Sequence, residues 1–280
     1  MSEIKKSIVN KRQRRPDYPK GVLDPKQGQK KFDLIRLLPS QGLEFFIEHY
    51  WIVKWNLKEG ETYTSEVLPY PSIHIVFEKN YSRIIGVMEG KYARQLKGSD
   101  KVLGIKFKPG AFYPFINGNV SELTYKFIEL NNYFDINVDK LEASILHSES
   151  EEGMSNVAEK FLMKFIPEKD ENVILINKII DLTNKDRNII KVDDIVKRMR
   201  INKRTLQRLF SQYVGVSPKW VIKRFRLLEA VGELSKNKKA DWTKLALELG
   251  YFDHAHFIKD FKSIIGKTPY EYEKQINIIE

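Results

Sequence analysis

Five polar residues in the C-terminal third of the chain share one face of a predicted helix and could donate hydrogen bonds to DNA. They are Lys203, Arg204, Gln207, Arg208 and Ser211. At about 100° per residue, these side chains fall in one arc, and apolar residues occupy the opposite side of the helix. Lys, Arg and Gln side chains donate to phosphate oxygens and to the edges of guanine and adenine in the major groove. The arc therefore predicts recognition of a DNA duplex.

The same short pattern recurs 51 residues later, which indicates that one structural unit is duplicated. The first copy contains Asn202, Leu206, Arg208, Phe210 and Gly215-Val216-Ser217-Pro218, and the second contains Asp253, Phe257, Lys259, Phe261 and Gly266-Lys267-Thr268-Pro269. The repeat places His254, Ala255, Ile258, Lys259 and Lys262 in the corresponding arc, which is less basic than the first. Two interpretations of Ile258 stay open, contact with a thymine methyl group or an isolated apolar residue at the surface.

Each copy has the pattern of two helices separated by a tight turn. Asn202 and Asp253 are predicted to cap the second helix of their units, because each precedes a run of apolar residues at helical spacing. This arrangement is typical of a helix-turn-helix unit, whose second helix enters the major groove. Charged helix faces in general are more often solvated surfaces of a bundle, but the fixed offset of two matching arcs favours DNA binding.

The second unit resembles the signature of the AraC/XylS family of bacterial transcription regulators. The residues that carry the resemblance are Leu245-Ala246, Gly250-Tyr251, Asp253, Ala255, Phe257, Lys259, Phe261-Lys262, Gly266, Thr268-Pro269 and Tyr272. The resemblance covers about residues 173 to 275, and it implies that a long helix starting near Pro218 joins the two units. It also implies that the two recognition helices occupy neighbouring major grooves, about 34 Å apart.

The first unit departs from the family pattern at two positions. Arg200 stands where the family usually has a turn glycine, and Val196 stands where it usually has alanine. A left-handed conformation at Arg200 would cost about 1 kcal/mol. The larger side chain of Val196 would separate the two helices slightly.

The charge of the chain is divided between its segments. Residues 185–280 contain 21 Lys and Arg against 12 Asp and Glu, residues 32–184 contain 17 against 22, and residues 1–31 contain 10 against 3. A basic C-terminal region is expected of a DNA-binding module, since binding releases counterions from the duplex. The basic segment 1–31 has few apolar residues and is expected to be a flexible tail, either a nucleic-acid arm or a solubilising extension.

Residues 32–135 are predicted to form a regulatory domain of mainly antiparallel, barrel-like β structure. Apolar residues alternate in Trp51-Val53-Trp55-Leu57, Ile73-Ile75-Phe77 and Leu103-Ile105-Phe107. The many aromatic residues suit a packed core or a small-molecule pocket, and Pro109-Gly110 predicts a tight turn. The segments 49–51 and 104–112 resemble a domain that precedes AraC-type modules in some bacterial proteins.

The overall prediction is an α+β chain with a helical connector and an all-α DNA-binding domain. The connector covers residues 136–172, with helices expected at Met154 to Ile166 and, leading into the next domain, Val173 to Leu182. The DNA-binding domain with its two helix-turn-helix units covers residues 173–280. Leu162, Phe165 and Ile166 suit either packing against the β domain or a dimer interface.

Several classes of protein are disfavoured by what the chain lacks. It contains no cysteine, which excludes disulfides, thiolate zinc sites and a cysteine nucleophile. His49 and His74 are the only histidines of the β domain and do not form the ligand set of a metal-dependent barrel enzyme, so no metal, cofactor or catalytic residue is expected. No apolar run approaches the roughly 20 residues of a membrane span, and Arg14-Arg15 is not followed by an export signal, so we expect a cytoplasmic protein.

The expected partner is double-stranded DNA, and RNA polymerase, a small-molecule effector and a second copy of the chain are further candidates. Two alternatives remain at this point. The chain could be a small-molecule or protein sensor whose helical module contacts protein partners, or an enzyme with an accessory DNA-binding module.

Overall fold

The computed structural model describes residues 25–278 except 69, 89, 117 and 235–240. An antiparallel β domain comes first, and a helical region follows it, so the predicted α+β class is confirmed. Most of the predicted basic tail, residues 1–24, lies outside the described residues. The strands are β1 Phe32–Leu37, β2 Ile47–Asn56, β3 Thr62–Val67, β4 His74–Phe77, β5 Arg83–Ile85, β6 Tyr92–Lys97, β7 Ser99–Phe107 and β8 Phe127–Ile128.

The strands form two separate sheets and not a closed barrel. Six strands are ordered β1-β2-β7-β4-β5-β8, and β3 pairs with β6 in a second sheet of two strands. Every strand pair is antiparallel. The expected barrel-like shape is therefore realised only as two layers, because no hydrogen-bonded ladder joins β1 to β8 and closes the larger sheet.

The two faces of the larger sheet have different surroundings. On one face Ile52, Ile75 and Ile105 are fully buried in the main hydrophobic core. On the other face the Trp51 indole occupies the space above Gly104, where a Cβ atom would lie only 1.9 Å from the ring. The smaller sheet covers this second face and leaves a cavity of about 250 Å³ between the layers.

The helical region begins with a helix that the sequence analysis did not predict. The side chain of Asn137 caps this helix by accepting a hydrogen bond from the Lys140 backbone N–H at 2.9 Å. The helices are α1 Pro25–Gly28, α2 Val138–Leu146, α3 Glu151–Leu162, α4 Glu171–Lys185, α5 Val192–Met199, α6 Lys203–Leu209, α7 Pro218–Leu234, α8 Trp242–Glu248, α9 His254–Ile265 and α10 Pro269–Ile278.

Helices α2 and α3 belong to the core that they share with the β domain. Leu162 is fully buried, and Phe165 packs against Phe134 and Phe161 with ring centroids 5.2 and 5.6 Å apart. Of the three residues considered for a dimer interface, only Ile166 is exposed. The packing interpretation is therefore the better one for Leu162 and Phe165.

Helix α7 divides the helical region into two packing units. Its first half, including Val221 and Phe225, joins the core that contains α4, α5 and α6. Its second half contributes Leu227 and Ala230 to a separate core with Phe257 and Phe261 of α9. One helix therefore carries both predicted units, as the family resemblance implied.

Candidate nucleic-acid interface

The first unit consists of α5, a two-residue turn and α6. Helix α5 ends at Met199, and the next residue, Arg200, adopts the left-handed conformation (φ 51°) expected at the position of the missing glycine. Asn202 then caps α6, because its side chain accepts a hydrogen bond from the Arg204 backbone N–H at 2.8 Å. A π-helical turn, Phe210–Val214, continues α6 as far as Gly215.

The polar arc of the first unit is on the surface. Lys203, Arg204, Gln207, Arg208 and Ser211 are all exposed. On the opposite side of the same helical segment, Leu206 and Phe210 are fully buried in the core, and Leu209 is almost so. The hydrophobic packing therefore fixes the rotation of the helix and leaves the five donors facing outward.

The cations of this arc differ in their surroundings. The Lys203 ammonium lies 2.9 Å from Asp193 of α5, and it holds the pKa of that carboxyl below its usual value. Among the described residues, Arg204 and Arg208 have no acidic partner within salt-bridge distance. These two guanidinium groups can therefore meet an external acceptor without first breaking an ion pair.

The second unit consists of α8, a longer turn and α9. Gly250 is left-handed (φ 80°), and Asp253 caps α9 by accepting a hydrogen bond from the His256 backbone N–H at 2.7 Å. His254, Ala255, Lys259 and Lys262 are exposed. Ile258 is half-buried, so its side chain is only partly available to a ligand.

One exposed residue of the second turn was missed by the sequence analysis. The left-handed residue precedes the cap by two positions in the first unit, Arg200 to Asn202, and by three in the second, Gly250 to Asp253. The second turn therefore contains one more residue than the first, and Phe252 occupies it with 99% of its surface exposed. The unequal turn lengths were visible in the sequence once Arg200 was taken as the left-handed residue.

Helix α7 makes polar contacts with the segment that precedes the first unit and with the second unit. Arg226 is 2% exposed and donates to the backbone carbonyls of Thr183, Asp186 and Ile189 at 2.7, 2.9 and 3.3 Å. Toward the second unit, the Lys223 ammonium lies 2.6 Å from Asp260 of α9. These contacts join α7 to the end of α4 and the segment that follows it, and to α9 of the second unit.

The β domain also contacts both units, which the sequence did not indicate. The Tyr113 and Tyr213 rings pack with centroids 4.0 Å apart, and the Thr124 hydroxyl donates to the Gly215 carbonyl at 2.8 Å. Leu68 is buried in the core of the second unit. Gly110, in the predicted Pro109-Gly110 turn, is left-handed (φ 79°), and a Cβ atom added there would lie 3.1 Å from Ile176 and 3.5 Å from Tyr213.

Two other kinds of site are absent from the described part of the chain. No group of three or more His, Asp and Glu side chains there could hold a metal ion. No helix within those residues combines the length and apolar character needed to cross a bilayer.

Residues 195–275 match a family described as a helix-turn-helix domain, and residues 35–129 match a domain of unknown function, DUF6597. An uncharacterized HTH-type transcriptional regulator of Haemophilus influenzae is 28% identical over 123 residues, which are 44% of this chain and 40% of the relative. The HTH-type transcriptional regulator MtrA of Neisseria gonorrhoeae is 32% identical over 102 residues, 36% of this chain and 32% of the relative. The chain thus spans less than half the length of these curated relatives.

Among solved structures, ToxT from Vibrio cholerae is similar to this chain at a TM-score of 0.35 and 16% identity, over 88% of this chain and 98% of ToxT. A likeness at this level carries no argument about how the two domains are arranged. The matched helix-turn-helix region, by contrast, coincides with the two units whose capped helices and exposed arcs are described above.

Proposed function

We propose that the chain is a sequence-specific DNA-binding transcription regulator with a regulatory β domain, and that its helix-turn-helix domain, residues 195–275, is of the AraC type. One observation carries the proposal. Two capped helices, α6 and α9, bury their apolar sides against a shared helix and expose basic and polar arcs at equivalent positions of a repeat. Solubility alone does not require such a matched pair.

In the first unit, we assign base reading to Arg204, Gln207 and Arg208. Arginine donates two hydrogen bonds to guanine, and glutamine pairs in the same way with adenine. Arg204 and Arg208 suit this role because neither is engaged by a described carboxylate. Lys203 and Ser211 are assigned to the DNA backbone, since a lysine already paired with Asp193 supplies charge more readily than directional contacts.

In the second unit, His254, Ala255, Ile258 and Lys259 are the proposed base-contacting residues, and Lys262 is assigned to phosphate. His254 and Ala255 begin α9 directly after the cap Asp253, and helix N-terminal residues are those that enter the groove. This arc has fewer long donors than the first. We therefore expect the second half of the DNA site to tolerate more sequence variation.

The DNA site should be long and bipartite. Each recognition helix covers a few base pairs, and a stiff connection places the two helices about one helical turn, or about 34 Å, apart. Helix α7 supplies the stiff connection, because side chains of both units pack against its buried residues. The β domain would act on this pair through its contacts with Tyr213 and Gly215.

The experiment is selection of duplexes by the full chain, followed by titration of a selected duplex and a random one at two salt concentrations. Each phosphate contact contributes about −0.9 to the slope of log K against log salt concentration. The proposal predicts a steep slope and a strong preference for the selected duplex. A shallow slope with no preference would instead support the alternative, a sensor whose helical module binds protein partners.

The remaining parts of the proposal concern partners, catalysis and location. The regulator would act without catalysis in the cytoplasm, and its contact with RNA polymerase or with a second copy of the chain would decide between activation and repression. A small-molecule effector would bind the β domain. Turnover of a substrate by the full chain would argue for the enzyme alternative.

A further inference from the structure

We propose, on the basis of the regulatory function proposed above, that Phe252 reads the second half of the DNA site by placing its ring against a thymine methyl group. This residue lies in the turn of the second unit, outside the arc of α9 to which base contacts were assigned above. Its exposure, its fixed backbone and its place just before α9 support this role.

The Phe252 side chain lies almost entirely in solvent. It is 99% exposed, which makes it the most exposed of the large apolar side chains among the described residues. No aromatic ring of the described chain is paired with it. Removing an aromatic ring from water is one of the largest apolar contributions that a single side chain can make, and the free protein does not use it. A partner that covers the ring would therefore gain affinity.

The packing role of an apolar residue before a helix cap is filled by the neighbouring residue. Such a side chain often packs against one in the second turn of the helix, four residues after the cap, which here is Phe257. Tyr251 takes this place, because its ring centroid lies 5.2 Å from that of Phe257 and its side chain is half-buried. In the first unit the residue before the cap, Ile201, is half-buried and packs against the main core. Phe252 is the extra residue of the longer turn, and the fold of the unit does not use its ring.

The backbone on both sides of Phe252 is fixed. On one side, the N–H groups of Gly250 and Tyr251 donate to carbonyls of α8 at 2.9 Å and close the end of that helix in a Schellman motif. On the other side, the Asp253 cap begins α9. The turn also lies against the segment before α5, since a Cβ atom at Gly250 would be 3.0 Å from Ile190. The ring is therefore carried by a preorganised turn, which reduces the cost of ordering it on binding.

The turn places Phe252 beside the part of α9 that is expected to enter the major groove. The N-terminal residues of a recognition helix are those that contact base edges, and Phe252 precedes the first residue of α9, His254, by two positions. The exposed Ala255 and the half-buried Ile258 add apolar surface to this end of the helix. The second unit thus presents apolar groups where the first presents arginine and glutamine.

An apolar contact in the major groove has one natural counterpart. Thymine carries a methyl group there, and phenylalanine is among the side chains that contact it. The other groups at the base edges are hydrogen-bond donors and acceptors, which a phenyl ring cannot satisfy. The ring should therefore select thymine at one position of the second half-site and reject cytosine, which lacks the methyl group.

Selection of duplexes by the unaltered full chain and by Phe252→Ala tests the sequence preference. The half-site whose preference is lost in Arg208→Ala is the first, and the other is the second. We expect the unaltered chain to select a thymine at one fixed position of the second half-site. Phe252→Ala should lose that preference and keep the first half-site unchanged. A second half-site without a preferred thymine, or the same preference in both chains, overturns the proposal.

Uracil in place of the selected thymine removes the methyl group and keeps the base pairing. It should weaken binding of the unaltered chain about fourfold, as expected when one methyl group is no longer removed from water. Phe252→Ala should bind the thymine duplex about fourfold or more weakly and should not distinguish thymine from uracil. Fluorescence anisotropy with the four combinations measures the coupling between ring and methyl group. An equal loss on uracil in both chains overturns the proposal.

The controls separate contact with DNA from other effects of the substitution. Tyr270→Ala removes another exposed ring, 71% exposed at the start of α10, and should leave the sensitivity to uracil unchanged. Phe252→Leu keeps an apolar side chain and should retain part of the preference for thymine. Phe252→Ala should leave the midpoint of urea unfolding unchanged, since its side chain lies in solvent, so weaker binding would not reflect unfolding.

The failure of this proposal can be told apart from failure of the regulatory function. If the unaltered chain selects no duplex, the regulatory function fails and the role of Phe252 fails with it. If the unaltered chain and Phe252→Ala select the same bipartite site and bind it with the same affinity, only the role of Phe252 fails. That second result would point to a protein partner for the exposed ring.

Discussion

Tyr113 of the β domain and Tyr213 of the first helix-turn-helix unit pack ring against ring, with centroids 4.0 Å apart. The Tyr213 hydroxyl also donates to Asp170 at 2.7 Å and accepts from the Asn172 side chain at 2.9 Å. The recognition helix α6, which leads into Tyr213, is therefore fixed at its far end by both the β domain and the segment before α4. A change in either of these can reach α6 without passing through the polar arc.

Because of Tyr213, the free energy of unfolding should depend on pH in the alkaline range. Burial, and then its bond to Asp170, raises the pKa of this phenol to about 12, so the folded state favours the neutral form. The unfolded tyrosine ionises near 10, and the free energy of unfolding should therefore fall as pH rises from about 10 toward 12. Tyr213→Phe should flatten that fall in urea titrations, and it should cost about 1 to 2 kcal/mol at neutral pH.

The control for this prediction is Tyr270→Phe, at a tyrosine 71% exposed in the same region of the chain. It should keep the neutral-pH stability and the alkaline fall of the unaltered protein. An equally steep alkaline fall in Tyr213→Phe would show that Tyr213 is not the titrating group.

Two arginines contact Glu229, and they should differ sharply in their contribution to stability. Arg226 is 2% exposed and also donates to three backbone carbonyls, whereas the Arg187 side chain is 72% exposed. Arg226→Met should lower the free energy of unfolding by about 3 kcal/mol or more, because buried acceptors lose their donors. Arg187→Met should cost less than about 1 kcal/mol, as surface ion pairs do. Similar losses in chemical denaturation would contradict the structural role of Arg226.

The caps Asn202 and Asp253 should stabilise their recognition helices by similar amounts. Each side-chain oxygen satisfies one backbone N–H of the first helical turn, so Asn202→Ala and Asp253→Ala should each cost about 1 kcal/mol in thermal or chemical unfolding. Asn202→Ser is the matched control, because serine caps equally well. A serine variant as unstable as the alanine variant would show that something other than capping is lost.

Variants of Arg208 and Lys262 should distinguish contacts to the bases from contacts to the DNA backbone. Arg208→Ala should weaken binding to the selected duplex by about 1 to 3 kcal/mol and relax its sequence preference. Lys262→Ala should weaken selected and random duplexes alike and make the salt slope shallower by about 1. Fluorescence anisotropy with both duplexes measures this directly. Equal losses on both duplexes for Arg208→Ala would remove its base-reading role.

The helix-turn-helix units were predictable because their determinants are local. Caps, apolar spacing and the left-handed turn residue lie within a few positions of one another, so Asn202, Asp253 and even the strained Arg200 could be located from the sequence. Helix α2 could have been found in the same way, since Asn137 precedes Leu141 and Ile145 at helical spacing.

The contacts between domains could not be predicted, because they join residues distant in the chain. Tyr113 and Tyr213 are 100 positions apart, and nothing in either segment identifies the other. The cavity could not be predicted for the same reason. The alternation in Trp51-Val53-Trp55 predicted a strand, but only the pairing of β3 with β6 in a separate sheet shows that this face lines a space.

A rigid pair of recognition helices is tested by the affinity of the full chain for a selected duplex into which 5 base pairs have been inserted between the two half-sites. Helix α7 shares one hydrophobic core with α6 and another with α9. An insertion of 5 base pairs rotates the second half-site to the opposite side of the duplex. We expect the 5-base-pair insertion to reduce the affinity to that of the first half-site alone. Affinity unchanged by that insertion would contradict a rigid pair of recognition helices reading one bipartite site.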